Sequence, residues 1–506
     1  MKFVNRKKRN SRNLILLLSA AILVLSSLPV AARDDNEPVL TQHEAQIAGK
    51  LLKYTAEAGR IAIRDVETAE PHGYMFYTAY RVPPSGAPRP VTFVWNGGPG
   101  ADSSLLHFSV AGPKLAEGSR LADNPDSWLP ATDLVLVDPI GTGFSRPAKA
   151  EYGAEFYSTV GDVDSVTEFI RAWRLLHGAE DAPIFLAGES WGAGRAAHVG
   201  FGLEKRGITV RGLVLISGGW ALNKNYVSPE LQAAIPIVDM ASTVLFYGKT
   251  APDLGKNLAE VRQAAEKWVR EIYAPALSRI DKLSDAERAA IVAQLSRFTG
   301  LPKGQINPKT LTISPRQFRT GLLKDQNAKG PNKEPYIFDM RRTTPPGNGD
   351  APAILHYFRH DLGYRTSLPY IGLEEIEQGF APDGTYPEPV NARWNYATAK
   401  LTPEEVKAAM EEASRKGDGP PRLGPPLPGT EDALALNPRM KVLVAAGLYD
   451  SFLPCAIGAE IERNLPSNLH QAITFKCYVG GHAMYKDAAT RAEFSRDVKA
   501  LIEANR

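Results

Sequence analysis

Cysteine is nearly missing from this chain, with two among 506 residues, Cys455 and Cys477. That scarcity excludes a scaffold built on disulfides and a cysteine-rich metal cluster. Two open possibilities remain for the pair, one disulfide or two reduced, buried thiols. Neither cysteine sits in a motif for a nucleophile or a ligand. A long apolar run is also lacking: the stretch from Leu14 to Leu28 is short against the roughly 20 residues that a bilayer span needs. No internal repeat or low-complexity tract is present, and signatures of RNA or DNA binding are absent.

What is there begins with an unusual first 32 residues. Lys2, Arg6, Lys7, Lys8, Arg9 and Arg12 precede the apolar run, and Val30-Ala31-Ala32 offers small residues for cleavage. This three-part order predicts a secretory signal, and hence an exported protein, periplasmic or extracellular. The alternative is an uncleaved segment that anchors the chain. Without it the chain holds 53 basic and 56 acidic residues, a formal charge of −3. The overall basicity therefore belongs to the leader, no nucleic-acid partner is implied, and no stable membrane span is expected after cleavage.

A polar stretch follows, then apolar segments that read as strands at Arg60–Val66, Gly73–Val82, Val91–Trp95, Asp133–Val137, Ile184–Ala187 and Gly212–Ser217. Between them, Asp162–Leu176 has apolar residues at helical spacing, and a second helix is expected over Ala193–Leu203. Short buried strands alternating with helices predict an α/β protein with a mainly parallel sheet. From about Ser228 to Gly429 the rhythm changes to helical stretches (Gly255–Tyr273, Asp285–Phe298, Thr402–Lys416) broken by Pro- and Gly-rich loops. The strand pattern returns at Lys441–Gly447 and Ile473–Val479.

Gly188-Glu189-Ser190-Trp191-Gly192 lies between an expected strand and an expected helix. There a sharp turn can present a serine hydroxyl at a sheet edge, as in the α/β-hydrolases. A serine hydroxyl is a weak nucleophile and needs a base oriented by a carboxylate. In α/β-hydrolases the order is Ser, Asp, His, and here Asp450 and His482 each follow a later strand. Ser190, Asp450 and His482 are thus the candidate catalytic residues. Donors for a developing oxyanion are expected from the amide of Trp191 and from the loop Asn96-Gly97-Gly98-Pro99-Gly100. That loop is neither GxGxxG nor followed by GK[ST], so it does not read as a nucleotide cradle.

The other histidines fit catalysis less well. His107 and His198 fall in expected helices near the site, and His43, His72, His177 and His470 read as surface or loop residues. His356 and His360 are four apart but lack the Glu of HExxH and a third ligand. No metal and no cofactor is implied. The economical organisation is a signal at 1–32, an α/β-hydrolase core in two parts at 33–227 and 430–506, and a mostly helical cap insertion at 228–429.

Four segments together resemble the serine carboxypeptidases, the carboxypeptidase Y group: Trp95–Gly100, Asp138–Ser145, Gly188–Gly192, and Gly481-His482 preceded by Gly447–Asp450. The resemblance implies removal of single residues from peptides with a free C-terminus, commonly in acid. It makes Ser190 the nucleophile, His482 the base and Asp450 its partner, with Gly98 and Trp191 as the oxyanion hole. It also implies substrate binding by Asn96, Gly97 and Glu189, with Asn96 and Glu189 on the terminal carboxylate. A Glu facing a carboxylate is repulsive unless one of the two is protonated, so such a pair binds best in acid.

Three positions depart from the family pattern. Val110 stands where a second Glu is common, Trp191 where Tyr is usual, and Ala101-Asp102 where many members have Cys. The first shortens the carboxylate-binding network. The second is expected to change the pocket wall while leaving the backbone donor intact. An esterase or acyltransferase on the same scaffold is the alternative activity, since a triad forms an acyl-enzyme whatever the leaving group. An inert hydrolase fold serving as a binding protein is the third reading. Nothing in the sequence sets the oligomeric state.

Overall fold

The computed structural model describes residues 36–83, 86–324, 334–345, 349–374, 389–398, 401–416 and 423–506. The expected export signal lies outside the described residues. The Pro-rich breaks near 345 and 420 lie partly outside them.

Strands β1 (Val39–Ile47), β2 (Lys50–Arg64) and β3 (Pro71–Arg81) open the chain, followed by β4 (Val91–Trp95). A small hairpin, β5 (Lys114–Glu117) with β6 (Arg120–Asp123), precedes β7 (Asp133–Asp138) and the two-residue β8 (Arg146–Pro147). Then come α1 (Thr159–Leu176), β9 (Ile184–Glu189), α2 (Trp191–Lys205) and β10 (Val210–Ile216). Beyond β10 the described residues form helices joined by loops, including α3 (Pro236–Phe246), α4 (Leu258–Trp268), α5 (Asp285–Thr299) and α6 (Pro403–Lys416). It returns to the sheet with β11 (Lys441–Gly447), α7 (Cys455–Asn464), β12 (Ile473–Tyr478) and α8 (Ala488–Ala504).

The large sheet runs β1-β2-β3-β7-β4-β9-β10-β11-β12, with β8 beside β3. β1, β2, β3 and β7 pair antiparallel, and every pairing from β7 across to β12 is parallel. Except for the edge strand β12, the parallel strands are buried on both faces, as crossover helices require. Alternation sorts their side chains: Phe93, Val135 and Leu186 enter one core, Val94, Leu136 and Ala187 the other. The first core is continuous with the helical region after β10, through Val238, Val261, Leu295 and Phe318.

Three readings of the sequence change. The polar stretch after the leader contains β1, which joins β2 in a hairpin at Ala48-Gly49. His43 and His72 lie in strands rather than loops. His177 caps α1, stacks on Trp173 and meets Glu57 at 2.9 Å, so it is a packed residue and not a surface one. Cys455 and Cys477 form a disulfide that ties α7 to β12. Among the described residues no helix is long and apolar enough to cross a membrane.

Candidate active site

Because β4, β9, β11 and β12 run parallel, their C-terminal ends share one edge of the sheet, the edge where open α/β sheets place ligands. Asn96 follows β4, Ser190 follows β9, Asp450 follows β11 and His482 follows β12. All but Asp450 line one cavity of about 480 Å³, and Asp450 stands fully buried behind His482.

Ser190 occupies a turn that side chains rarely adopt, φ 56° and ψ −122°, while its amide donates to the Ile216 carbonyl at 2.8 Å. Such strain is the signature of a nucleophile elbow. Gly188 permits it: a Cβ there would lie 1.9 Å from the Gly192 carbonyl oxygen, inside the first turn of α2. Gly97 is equally constrained, because its Cβ would lie 2.6 Å from the Trp191 amide nitrogen. The Asn96–Gly100 loop and the elbow therefore touch backbone to backbone. That contact sets the loop beside the residue that follows Ser190.

His482 is held from three directions. Its Nδ1 meets Asp450 Oδ2 at 2.6 Å, its amide donates to the Phe338 carbonyl at 2.6 Å, and its carbonyl accepts from Ser217 Oγ at 2.6 Å. Phe338, from the region between β10 and β11, also lays its ring against the imidazole at 5.0 Å. Asp450 spends its other oxygen on the Phe452 amide at 2.8 Å. The imidazole Nε2 is buried and has no partner among the described residues, including Ser190. Catalytic contacts of this kind are often loose until substrate binds. Burial pushes the His482 pKa down, but the hydrogen bond and charge of Asp450, with the charge of Glu189, outweigh it and hold it above 6.5.

Beside the triad, Asn96 Nδ2 donates to Glu189 Oε2, and Asn96 Oδ1 accepts from the Leu106 amide at 3.0 Å. The other oxygen of Glu189 accepts from the Tyr485 hydroxyl at 2.5 Å. Burial drives the Glu189 pKa up, opposed by His482 and by the two hydrogen-bond donors. Tyr485 has no counterpart in the sequence reading. Its only signal is a place three residues after His482.

The loop that carries Asn96 is braced from below by a buried ion pair. Arg195, on α2, donates to Asp162 Oδ2 at 2.6 Å and to the Asn96 carbonyl at 2.8 Å. Both side chains are almost fully buried. On the far side of the loop, Ser103 donates from its amide and hydroxyl to Asp138 Oδ1 at 2.8 and 2.6 Å. Burial and the charge of Asp102 push Asp138 up to about 7.

Several sequence candidates lie elsewhere. Val110 is fully buried in the second core, on the short helix His107–Ala111. His107 is buried, bonded to the Tyr80 hydroxyl at 2.7 Å, and pushed by burial down to about 3. The Trp191 indole does not line the cavity, contrary to expectation. It packs edge-on against Trp394 and Tyr396, because the helix direction of α2 turns it behind the elbow. His356 and His360 stack on each other at 4.5 Å.

Residues 50–196 match the family model for serine carboxypeptidases. Over that stretch the chain is similar to the serine carboxypeptidases. The matched stretch runs from β2 into α2 and holds Asn96, Glu189 and Ser190. It ends before Asp450 and His482. The fold is that of the α/β-hydrolases, and the chain is a serine hydrolase. A sequence search among curated proteins found no match.

Similar solved structures include a prohormone-processing carboxypeptidase from Saccharomyces cerevisiae, with 14% identity, TM-score 0.44, 89% of this chain and 91% of that one covered. A thermostable carboxyl esterase from Bacillus coagulans has 12% identity, TM-score 0.35, and coverage of 88% and 98%. A haloalkane dehalogenase loop variant from Bradyrhizobium elkanii has 14% identity, TM-score 0.30, and coverage of 92% and 98%.

Proposed function

We propose that this is an exported carboxypeptidase that removes C-terminal residues from peptides through an acyl-enzyme on Ser190. The observation that carries the mechanism is His482. It is braced by Asp450 at 2.6 Å, and its other nitrogen is buried and unpartnered at a cavity that Ser190 also lines. Neutral His482 takes the hydroxyl proton as Ser190 attacks the scissile carbonyl, and Asp450 stabilises the resulting imidazolium. The Gly98 and Trp191 amides receive the oxyanion. His482 then returns its proton to the leaving amine, and water repeats the cycle on the ester. The cavity wall is mixed, with Leu105, Phe108, Ile354 and Phe338 as its apolar part, which suits peptide side chains.

The leader at 1–32 supports export to the periplasm or beyond. Esterase or acyltransferase activity is the second reading, and buried Val110 is what favours it, since the family's second carboxylate is missing there. A fluorophosphonate probe tests the enzyme: it is expected to label the wild type and to spare Ser190→Ala. Equal labelling of both would contradict the role given to Ser190.

A further inference from the structure

Selection of a free C-terminus requires something in the cavity that prefers a carboxylate to an amide. Glu189 is poorly suited to that task here. One of its oxygens accepts from Asn96 and the other from Tyr485, and Asn96 spends its carbonyl oxygen on Leu106. The cluster satisfies itself, and to an arriving carboxylate it presents an acidic group. Tyr485 takes part because the Met484–Lys486 turn packs against the short helix that carries Val110. A neutral hydroxyl thus braces Glu189 in a chain that lacks the family's second carboxylate.

Three cations line the cavity, Arg341, Arg342 and Lys486. Arg341 is held by Asp339 and by Asp487, each at 2.8 Å. Arg342 lies 3.6 Å from Asp339. Lys486 is exposed at the cavity and has no ion-pair partner among the described residues. It immediately follows Tyr485 and is four residues from His482, and its charge is felt by Glu189. An ammonium with three unspent donors on a flexible stem is a fitting point-charge partner for a carboxylate.

We propose that Lys486 selects substrates with a free C-terminus by pairing with their terminal carboxylate, while Glu189 positions Asn96 and the elbow. The proposal rests on the carboxypeptidase reading. It assigns the selectivity to a residue outside the family's Asn and Glu positions.

The test compares kcat/KM for an N-blocked dipeptide as free acid and as C-terminal amide, at neutral pH, in wild type, Lys486→Met and Lys486→Arg. Wild type is expected to prefer the acid. Lys486→Met is expected to lower the acid-to-amide ratio about 10- to 100-fold, mainly through KM for the acid, as loss of a charged hydrogen bond does. Lys486→Arg is expected to restore most of it, which a merely structural role would not predict. A Lys486→Met enzyme that keeps the wild-type ratio overturns the lysine's role and leaves the carboxypeptidase reading standing. A wild type without preference for the acid overturns that reading, and the lysine's role with it.

Discussion

Gly97 brings the Asn96–Gly100 loop and the turn at Ser190 within backbone contact. A methyl group there would sit 2.5 Å from the Glu189 carbonyl oxygen and 2.6 Å from the Trp191 nitrogen, so the loop must withdraw. Gly97→Ala is expected to lower kcat by about 100-fold or more, the usual effect of losing one oxyanion donor. Steady-state kinetics on a peptide substrate checks it, and unchanged kcat would remove the loop from the oxyanion hole. His482 gives a second prediction at this scale. Its folded pKa is raised above 6.5 and the base must be neutral, so kcat/KM should rise with pH through a midpoint above 6.5. Glu189 contributes to that rise through its charge, so Glu189→Gln should move the midpoint down. A pH–rate profile with an unmoved midpoint would contradict the coupling. The convergence of Ser190, Asp450 and His482 at one sheet edge was legible because each residue follows an apolar strand. Tyr485 was not, since a tyrosine hydroxyl reaching Glu189 across 296 positions leaves no local pattern.

Between elements, the Arg195–Asp162 pair fastens α2 to α1 and to the carbonyl of Asn96. Arg195 is 2% exposed and Asp162 3%, so removing one partner strands the other charge in a dry interior. Arg195→Met should therefore cost about 3–5 kcal/mol of stability, while Arg195→Met with Asp162→Leu should recover much of it. Denaturant unfolding of the two variants checks this, and equal losses would show that the charge is not the cause. The strands and helices around the site were readable because β4, β7, β9, β10 and β11 are apolar runs with sharp ends. β1 was missed for a physical reason. Its inward face is Val39, Thr41, His43, Ala45 and Ile47, too weakly apolar at its start to stand out from a polar stretch. Trp191 shows the complementary limit: a sequence names the residue after the nucleophile but not the side to which its helix turns the ring.

At the scale of the molecule, the region after β10 is more than a cover, because Phe338 supplies both a carbonyl and a ring to His482. The same region shares its core with one face of the sheet, so the site is assembled only when sheet and helical region fold together. The α/β class and the helical interruption could be read from the strand rhythm. The contact between Phe338 and His482 could not, since it joins positions separated by Pro- and Gly-rich breaks that carry no periodicity. The central claim, serine-type removal of C-terminal residues, is tested most directly by mass spectrometry of the products from an N-blocked peptide with a free C-terminus. Wild type is predicted to release single residues from that end in succession, with none released by Ser190→Ala. Cleavage at internal bonds, or release that persists in Ser190→Ala, would contradict it.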